Sequence, residues 1–367
     1  MCIRDRIYIP QLFYIMTDGV LTAMAVKVVD DILFTGECDT IDDIVQGIDK
    51  RYILGTIKHG PGEFYYSGLR IIQHADYQVT VHADETLEAI SSYPIDRKRR
   101  KEGSSNLNSL ELKSFRSVNG SLCWMGILSS PLCAFYASYF QQMAPKATVD
   151  DLISQINALR LLKKCGSTVH YGRYNCGKEF RISVLVFSDA GRKIDHGQSS
   201  IICGILFGEF TEASIFHVLS WLSHKSRRPV KSVGAAEILA AGEAIDEAKV
   251  LRNALSAVWN VKVDLIVAID SRDLYTSLST CRVSVDRSIR ADVSVIRYEF
   301  ETKNVSRMIW IPGNLNLADA GTKPNSPLAQ TLQLMLTSSK LPVDFSKAES
   351  RSSDQFTGWL ILKNGSV

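Results

Sequence analysis

Two sets of carboxylates in this 367-residue chain are spaced so that they could do metal chemistry. The first is Asp30-Asp31, preceded by Val28-Val29 and followed directly by Ile32-Leu33-Phe34. Adjacent carboxylates in apolar surroundings repel one another and are costly to bury without a cation. Mg²⁺ would serve, because it binds through one or two carboxylates plus substrate phosphates. The pair equally fits an acidic hairpin turn in water, although the apolar run after it argues against a bare turn tip. The second set is Asp189, Glu237, Asp270 and Asp319. Acids at the ends of neighbouring strands, joined by one from a helix start, can converge on one edge of a sheet. Four such groups could hold two metals about 3.5–4 Å apart, which activate water and stabilise the leaving oxygen of a phosphodiester. Taken singly, each is an ordinary surface acid, and Glu243, Asp246, Glu247 and Asp273 lie nearby as decoys.

The elements that must position these groups follow from the hydrophobic pattern. Residues 20–36 read as a hairpin, and 40–53 as a helix with Asp39 or Thr40 as its N-cap. Two or three short strands follow in 63–72 and 77–82, then a Gly/Ser/Asn-rich loop over 103–109. Helices are expected over 115–128, from Pro131 onward, and over 149–164. The turn-rich stretch 165–180 marks a boundary. Beyond it, 182–187 and 201–207 read as strands, the first ending at Ser188-Asp189. An Ala-rich helix spans 233–258, a strand 261–269 ends at Asp270, a short strand covers 308–311 and a last helix 324–336. Strands first, then helix, strand and helix, make a mixed α/β (α+β) sheet the expected architecture.

Composition narrows the class. Hydrophobic residues make up 46% and charged residues 22%, with mean hydropathy +0.01, which excludes disordered and low-complexity proteins. Forty-two Lys+Arg against 39 Asp+Glu leave +3, too balanced for a polycation but compatible with local basic patches. Eight scattered cysteines form no CxxC or zinc-type spacing and read as buried apolar groups in a reducing compartment. Met1–Arg6 is charged and lacks a signal-peptide core, so secretion is not expected. Residues 117–145 carry no charge, yet Asn119, Pro131 and two glutamines favour a buried helical pair over a membrane span.

Several groups have both a functional and a plain structural reading. Arg97-Lys98-Arg99-Arg100-Lys101 could grip a nucleic-acid backbone, form a solvated loop or serve as a nuclear-localisation patch. Lys225, Arg227 and Arg228 lead toward the Glu237 helix and favour substrate contact more. His196, His217 and His224 read as surface or core histidines before general acids. Trp310 reads as core, and Trp124, Tyr136, Tyr139 and Phe140 at helical spacing read as core rather than a base-stacking platform.

Taken together, the motifs resemble the end of a copia-type LTR-retrotransposon Pol polyprotein, from the last part of reverse transcriptase through RNase H. Val29-Asp30-Asp31-Ile32-Leu33-Phe34-Thr35-Gly36 resembles its polymerase-palm hairpin, and Gly62–Ile71 the strands after it. Phe115–Leu122 is similar to its thumb segment and Leu159–Lys164 to its closing helix. Ser188-Asp189-Ala190, Ser223–Arg228, Ala236-Glu237, Ile269-Asp270-Ser271 and Ala318–Lys323 then resemble the RNase H motifs in order. Val28 departs from the family's usual aromatic, and Ser288–Asp292 stands where members commonly carry Lys-His-Ile-Asp.

The resemblance implies an uncertain start (1–19), a palm remnant (20–95), thumb and connection helices (96–165), a linker (166–181), an RNase H-like mixed-sheet domain (182–340) and a tail (341–367). It implies that Asp189, Glu237, Asp270 and Asp319 hold two Mg²⁺ ions, with Mn²⁺ as a substitute, for hydrolysis of the RNA strand of RNA–DNA hybrids. Asp30 and Asp31 would hold metal in a polymerase whose third aspartate and fingers belong upstream. Arg97–Lys101, Lys225, Arg227, Arg228 and Lys323 are the expected nucleic-acid contacts. The rest of the Pol polyprotein is the expected partner, in a cytoplasmic virus-like particle or the nucleus and not a membrane. A decayed or co-opted protein that binds nucleic acid without cleaving it is the alternative.

Overall fold

The computed structural model describes residues 2–5, 11–174, 181–193, 196–211, 214–226, 228–280, 289–341, 347–353 and 355. The chain is mixed α/β, with three sheets. The first is an antiparallel meander of β1 (Cys2–Asp5), β2 (Leu12–Thr17), β3 (Val20–Val28) and β4 (Asp31–Gly36), followed by α1 (Cys38–Asp49). The expected hairpin forms: Val28 pairs with Asp31 around Val29-Asp30, with Val29 in the left-handed region at φ 53°. α1 starts earlier than its pattern suggested, with Glu37 and neither Asp39 nor Thr40 at the N-cap. The backbone sets this entry, since the Glu37 amide donates to the Thr22 carbonyl at 2.9 Å.

The second sheet is β5 (Gly62–Tyr66), β6 (Leu69–Gln73), β7 (Val79–His82) and β8 (Val169–Tyr171). Between β7 and β8 lie α2 (Asp84–Ala89), α3 (Arg97–Arg100), α4 (Ser109–Leu128), α5 (Pro131–Met143) and α6 (Val149–Cys165). The stretch expected as a linker therefore supplies β8, which pairs Tyr171 with Val79 of β7. A capping box fixes the start of α4: the Asn108 side chain accepts from the Glu111 amide, and the Glu111 carboxylate accepts from the Asn108 amide. Ser130 caps α5 with Pro131 in its first turn. No described helix is long and apolar enough to cross a membrane.

The third sheet carries β9 (Ile182–Lys193), β10 (His196–Phe207), β11 (Phe216–Lys225), β12 (Asp264–Ile269), β13 (Arg307–Trp310) and β14 (Glu349–Ser352). Its order is β11-β10-β9-β12-β13-β14, and β12 runs parallel to both neighbours. α7 (Val233–Trp259) precedes β12, α8 (Arg272–Ser279) and α9 (Arg290–Glu301) follow it, and α10 (Leu328–Ser338) precedes β14. Three differences from the sequence pattern matter. β9 continues past Asp189 because Ala190–Lys193 keep pairing with β10. The stretch 216–225 is a strand, and the last helix begins at Leu328 because Asn325 takes the left-handed conformation at φ 55° before it.

Alternation of side chains sorts the two faces of this sheet. Val184, Val186, Val267 and Ile269 pack with the alanines of α7. Leu185, Phe187 and Ala268 share a core with Phe135 of α5 and Leu332 of α10. The helices of 96–165 thus bury their apolar faces against this sheet, and the Trp221 indole of β11 donates to the Gly126 carbonyl of α4 at 2.6 Å. At Gly126 a Cβ would lie 2.6 Å from the Ala134 backbone. Gly126→Ala should therefore force α4 from α5 and cost about 1–3 kcal/mol, as overpacking does. A lowered urea midpoint with an unchanged far-UV spectrum is the expected reading.

Candidate active site

β9 and β12 bring two of the acids level. Their parallel register sets Phe187 beside Ala268, so Asp189 and Asp270 stand two residues further on at the same height and with the same face parity. β12 ends at Ile269 while β9 continues, which leaves the β9 edge open beyond that level. The Asn316 side chain fills part of this notch, donating to the Ser188 carbonyl at 2.8 Å and bonding the Asp270 carboxylate. Glu237 arrives from the start of α7, where it accepts the Ala190 backbone amide. One ligand oxygen from each of Asp189, Glu237 and Asp270 lies within 4.8 Å of the others. Among the described residues this is the one group of three or more ligand-type side chains within such reach.

The cluster is electrostatically uncomfortable without a cation. Burial, then the Asp270 charge, pushes the Asp189 carboxyl up to about 6. Burial, then Asp189 and Asp270, pushes Glu237 up to about 9, and burial also raises Asp270. Clustering of three buried or half-buried carboxylates favours their protonated forms, because like charges in a low-dielectric notch resist ionising together. A divalent cation removes that conflict, and an all-oxygen donor set suits Mg²⁺ or Mn²⁺. The residues present fit such an ion.

Asp319 stands beside this group without joining it. It is buried in the 3₁₀ turn Leu317–Gly321, where Lys323 Nζ approaches its Oδ1 at 2.5 Å and the Ser326 hydroxyl donates to its Oδ2 at 2.6 Å. Lys323, expected as a nucleic-acid contact, is thereby tied to Asp319, which raises its ammonium pKa. It is also close enough to influence Asp189 and Asp270. Asp30 and Asp31 lie exposed at the tip of the β3–β4 hairpin, in no ligand group among the described residues.

The basic stretches separate as well. Arg99 faces inward, with Nε 2.9 Å and Nη2 2.8 Å from the two oxygens of buried Glu111 and Nη1 on Glu102. Its role is to neutralise the α4 cap, whose carboxyl it holds below the usual range. Arg97, Lys98, Arg100 and Lys101 are exposed around one turn of helix rather than on a loop. Lys225 is exposed at the end of β11, Arg228 pairs with Asp292 at 2.6 Å, and Arg227 lies outside the described residues. His217 packs edge-on to Tyr171 and Phe207, and burial lowers its imidazole to about 4. His224 Nε2 lies 3.4 Å from Glu243, and the His196 side chain is outside the described ones.

Three supporting residues were given no role at the site from sequence. Asn316 bridges β9 and Asp270 as above. The Thr322 hydroxyl donates to Asp189 Oδ2 at 2.6 Å. The Trp310 indole donates to the Asp270 carbonyl at 2.9 Å, with the Arg272 guanidinium 4.5 Å from its ring. The signal for Thr322 lay in its motif, three residues after Asp319; nothing local marked Trp310 as more than core. Thr322→Val removes the bond that opposes the upward shift of Asp189. Such outer partners typically account for 10–100-fold in metal affinity or activity. Activity should fall by about that factor, with the acid limb of the pH–rate profile displaced upward. A fall with an unmoved profile would show a purely structural role.

No protein-family model matches the chain, and no curated protein matches it. Among solved structures it is similar to LC11-RNase H1, isolated from compost by a metagenomic approach, at 16% identity and TM-score 0.28, over 38% of this chain and 92% of that one. It is similar to the same enzyme in complex with RNA/DNA hybrid, at 16% identity and TM-score 0.28, over 38% and 94%. RNase H1 from the halophilic archaeon Halobacterium salinarum follows at 15% identity and TM-score 0.28, over 39% and 94%. At this level of similarity, the chemistry must be argued from the chain's own carboxylates.

Proposed function

We infer that this chain is a ribonuclease H-type endonuclease that hydrolyses the RNA strand of RNA–DNA hybrids with Mg²⁺, in the RNase H portion of a copia-type retrotransposon Pol protein. The observation that carries the reading is the convergence of Asp189, Glu237 and Asp270 in a buried notch. The order of the motifs quoted from the sequence supplies the retrotransposon context, with the remainder of Pol as partner and a cytoplasmic particle or the nucleus as the place of action.

Asp189, Glu237 and Asp270 would hold the metal, with Asp319 reaching a second ion once Lys323 is displaced. Bound there, two ions would activate water and stabilise the oxygen leaving the scissile phosphate. The chain's own residues do the rest. Thr322 and Asn316 orient Asp189 and Asp270 through their hydrogen bonds, and the Ala190 amide orients Glu237. Lys323 supplies positive charge at the rim of the notch, where the phosphate must enter. A hybrid is selected by groove shape, phosphates and the 2′-hydroxyl, not by base sequence.

The test is incubation of the chain with an end-labelled RNA–DNA hybrid and Mg²⁺ or Mn²⁺. Metal-dependent cuts confined to the RNA strand are expected, with duplex DNA and single-stranded RNA left intact. Hybrid binding without such cleavage would overturn the reading and leave a nucleic-acid-binding protein.

A further inference from the structure

At the opposite edge of the six-stranded sheet lies a second site of opposite charge. A half-open cleft of about 230 Å³ is formed where β9, β12 and β13 begin and β14 ends. Six residues of β12 separate Asp264 in this cleft from Asp270, about 20 Å at roughly 3.3 Å per residue. The cleft gathers four cations from four separate segments: Arg181 before β9, Lys262 before β12, Lys303 after α9 and Arg307 at the start of β13. Against them stands one lining carboxylate, Asp264, which already accepts the Ser306 hydroxyl at 3.0 Å. Arg181 is ion-paired with Glu209. Lys262 and Arg307 have no ion pair among the described residues.

The cleft is built rather than incidental. Lys303 is held in the left-handed region at φ 59°, a conformation uncommon for a residue with a side chain, and its amide donates to the Phe300 carbonyl at 3.0 Å. β14 closes the site from the far end of the chain, with the Ser353 amide on the Ser306 carbonyl at 2.9 Å. Ser183 and Ser353 add hydroxyls that are themselves buried. Guanidinium forks, ammonium groups and hydroxyl donors around a polar hollow match the several oxygens and multiple charge of a phosphate better than a lone carboxylate.

We propose that this cleft is a phosphate-binding site, distinct from the acidic notch, that takes either a phosphodiester of a nucleic-acid strand or a free phosphate ligand. It does not depend on the acidic notch being a nuclease centre. The test is run in EDTA, so that failure of the catalytic reading cannot affect it. Pyrophosphate binding is measured by calorimetry, and binding of a labelled 12-nucleotide single-stranded DNA by fluorescence anisotropy. The variants are Lys262→Gln/Arg307→Gln and, as a control at exposed lysines outside any site, Lys113→Gln/Lys146→Gln. The site variant should weaken binding on the order of tenfold at 0.1 M salt, while the control leaves pyrophosphate binding unchanged. If the oligonucleotide weakens with it and pyrophosphate competes, the phosphate belongs to a strand. If pyrophosphate alone weakens, the ligand is a free phosphate. If neither affinity moves in a variant with the wild-type urea midpoint, the proposal is wrong. Lys262→Gln alone, at an exposed position just before β12, replaces the double variant if that one fails to fold.

Discussion

Asp270→Asn is expected to abolish metal-dependent cleavage of an RNA–DNA hybrid while making the metal-free protein more stable. The substitution keeps shape and hydrogen-bonding capacity but removes one of three charges gathered within 4.8 Å. Loss of a direct metal ligand should reduce the cleavage rate on the order of 10³-fold or more, roughly 4 kcal/mol of the barrier. Without metal, the same charge is a liability, because it raises both Asp189 and Glu237. A higher urea midpoint in EDTA should therefore accompany the lost activity. Ordinary core damage would move both in the same direction, so the opposed signs identify a functional site held at a cost in stability.

Asp319→Asn separates a triad from a quartet. Lys323 and Ser326 already satisfy the Asp319 carboxylate, so its loss should reduce cleavage by about tenfold, well short of Asp270→Asn. If the two variants lose activity equally, the four acids act as one unit, since residues that act together give non-additive losses. Quantifying cleaved RNA at saturating hybrid for both variants decides this.

How much of this was legible in the sequence depended on how local the signal was. Asp270 could be placed because an apolar run of strand length ends directly before it, and Glu237 because the alanine periodicity of α7 is strong. Asp189 was found as an acid at a strand end, yet β9 runs on for four residues past it. Those residues are polar or small, and only cross-strand pairing with β10 makes them strand, which no local pattern reports. β11 was missed for a different reason: Phe216, Val218, Trp221 and Leu222 are apolar, but the register shift opposite Cys203/Gly204 breaks their alternation. The inward turn of Arg99 was hidden because its partner, Glu111, lies twelve residues away in a cap. The basic cleft was invisible, being assembled from segments as far apart as Arg181 and Ser353.

Metal should stabilise this chain far more at high pH than at low pH. In the metal-free fold Glu237 is raised from 4.5 to about 9 and Asp189 from 3.8 to about 6, with Asp270 raised as well. The native state therefore holds protons that the unfolded chain has released. Their contribution is neutral below about pH 4, and stability is lost as pH rises toward 9. Glu111 has the opposite sign, because Arg99 lowers it, and so do His217, lowered by burial to about 4, and His170. The Glu111 contribution is lost only below about pH 4.5, and the histidines add stability only as pH rises to about 6.5, so the window above pH 7 belongs to the acidic notch. Metal binds the deprotonated ligands and so competes with these protons. At 100 times its dissociation constant, it adds about 2.7 kcal/mol. Urea midpoints in EDTA should fall from pH 7 to pH 9. In 10 mM Mg²⁺ that slope should flatten, with almost no metal effect near pH 5. Glu237→Gln should flatten the EDTA slope by itself, because it removes the most strongly raised group. A metal effect of equal size at pH 5 and pH 9 would mean that the ion binds elsewhere than among these three carboxylates.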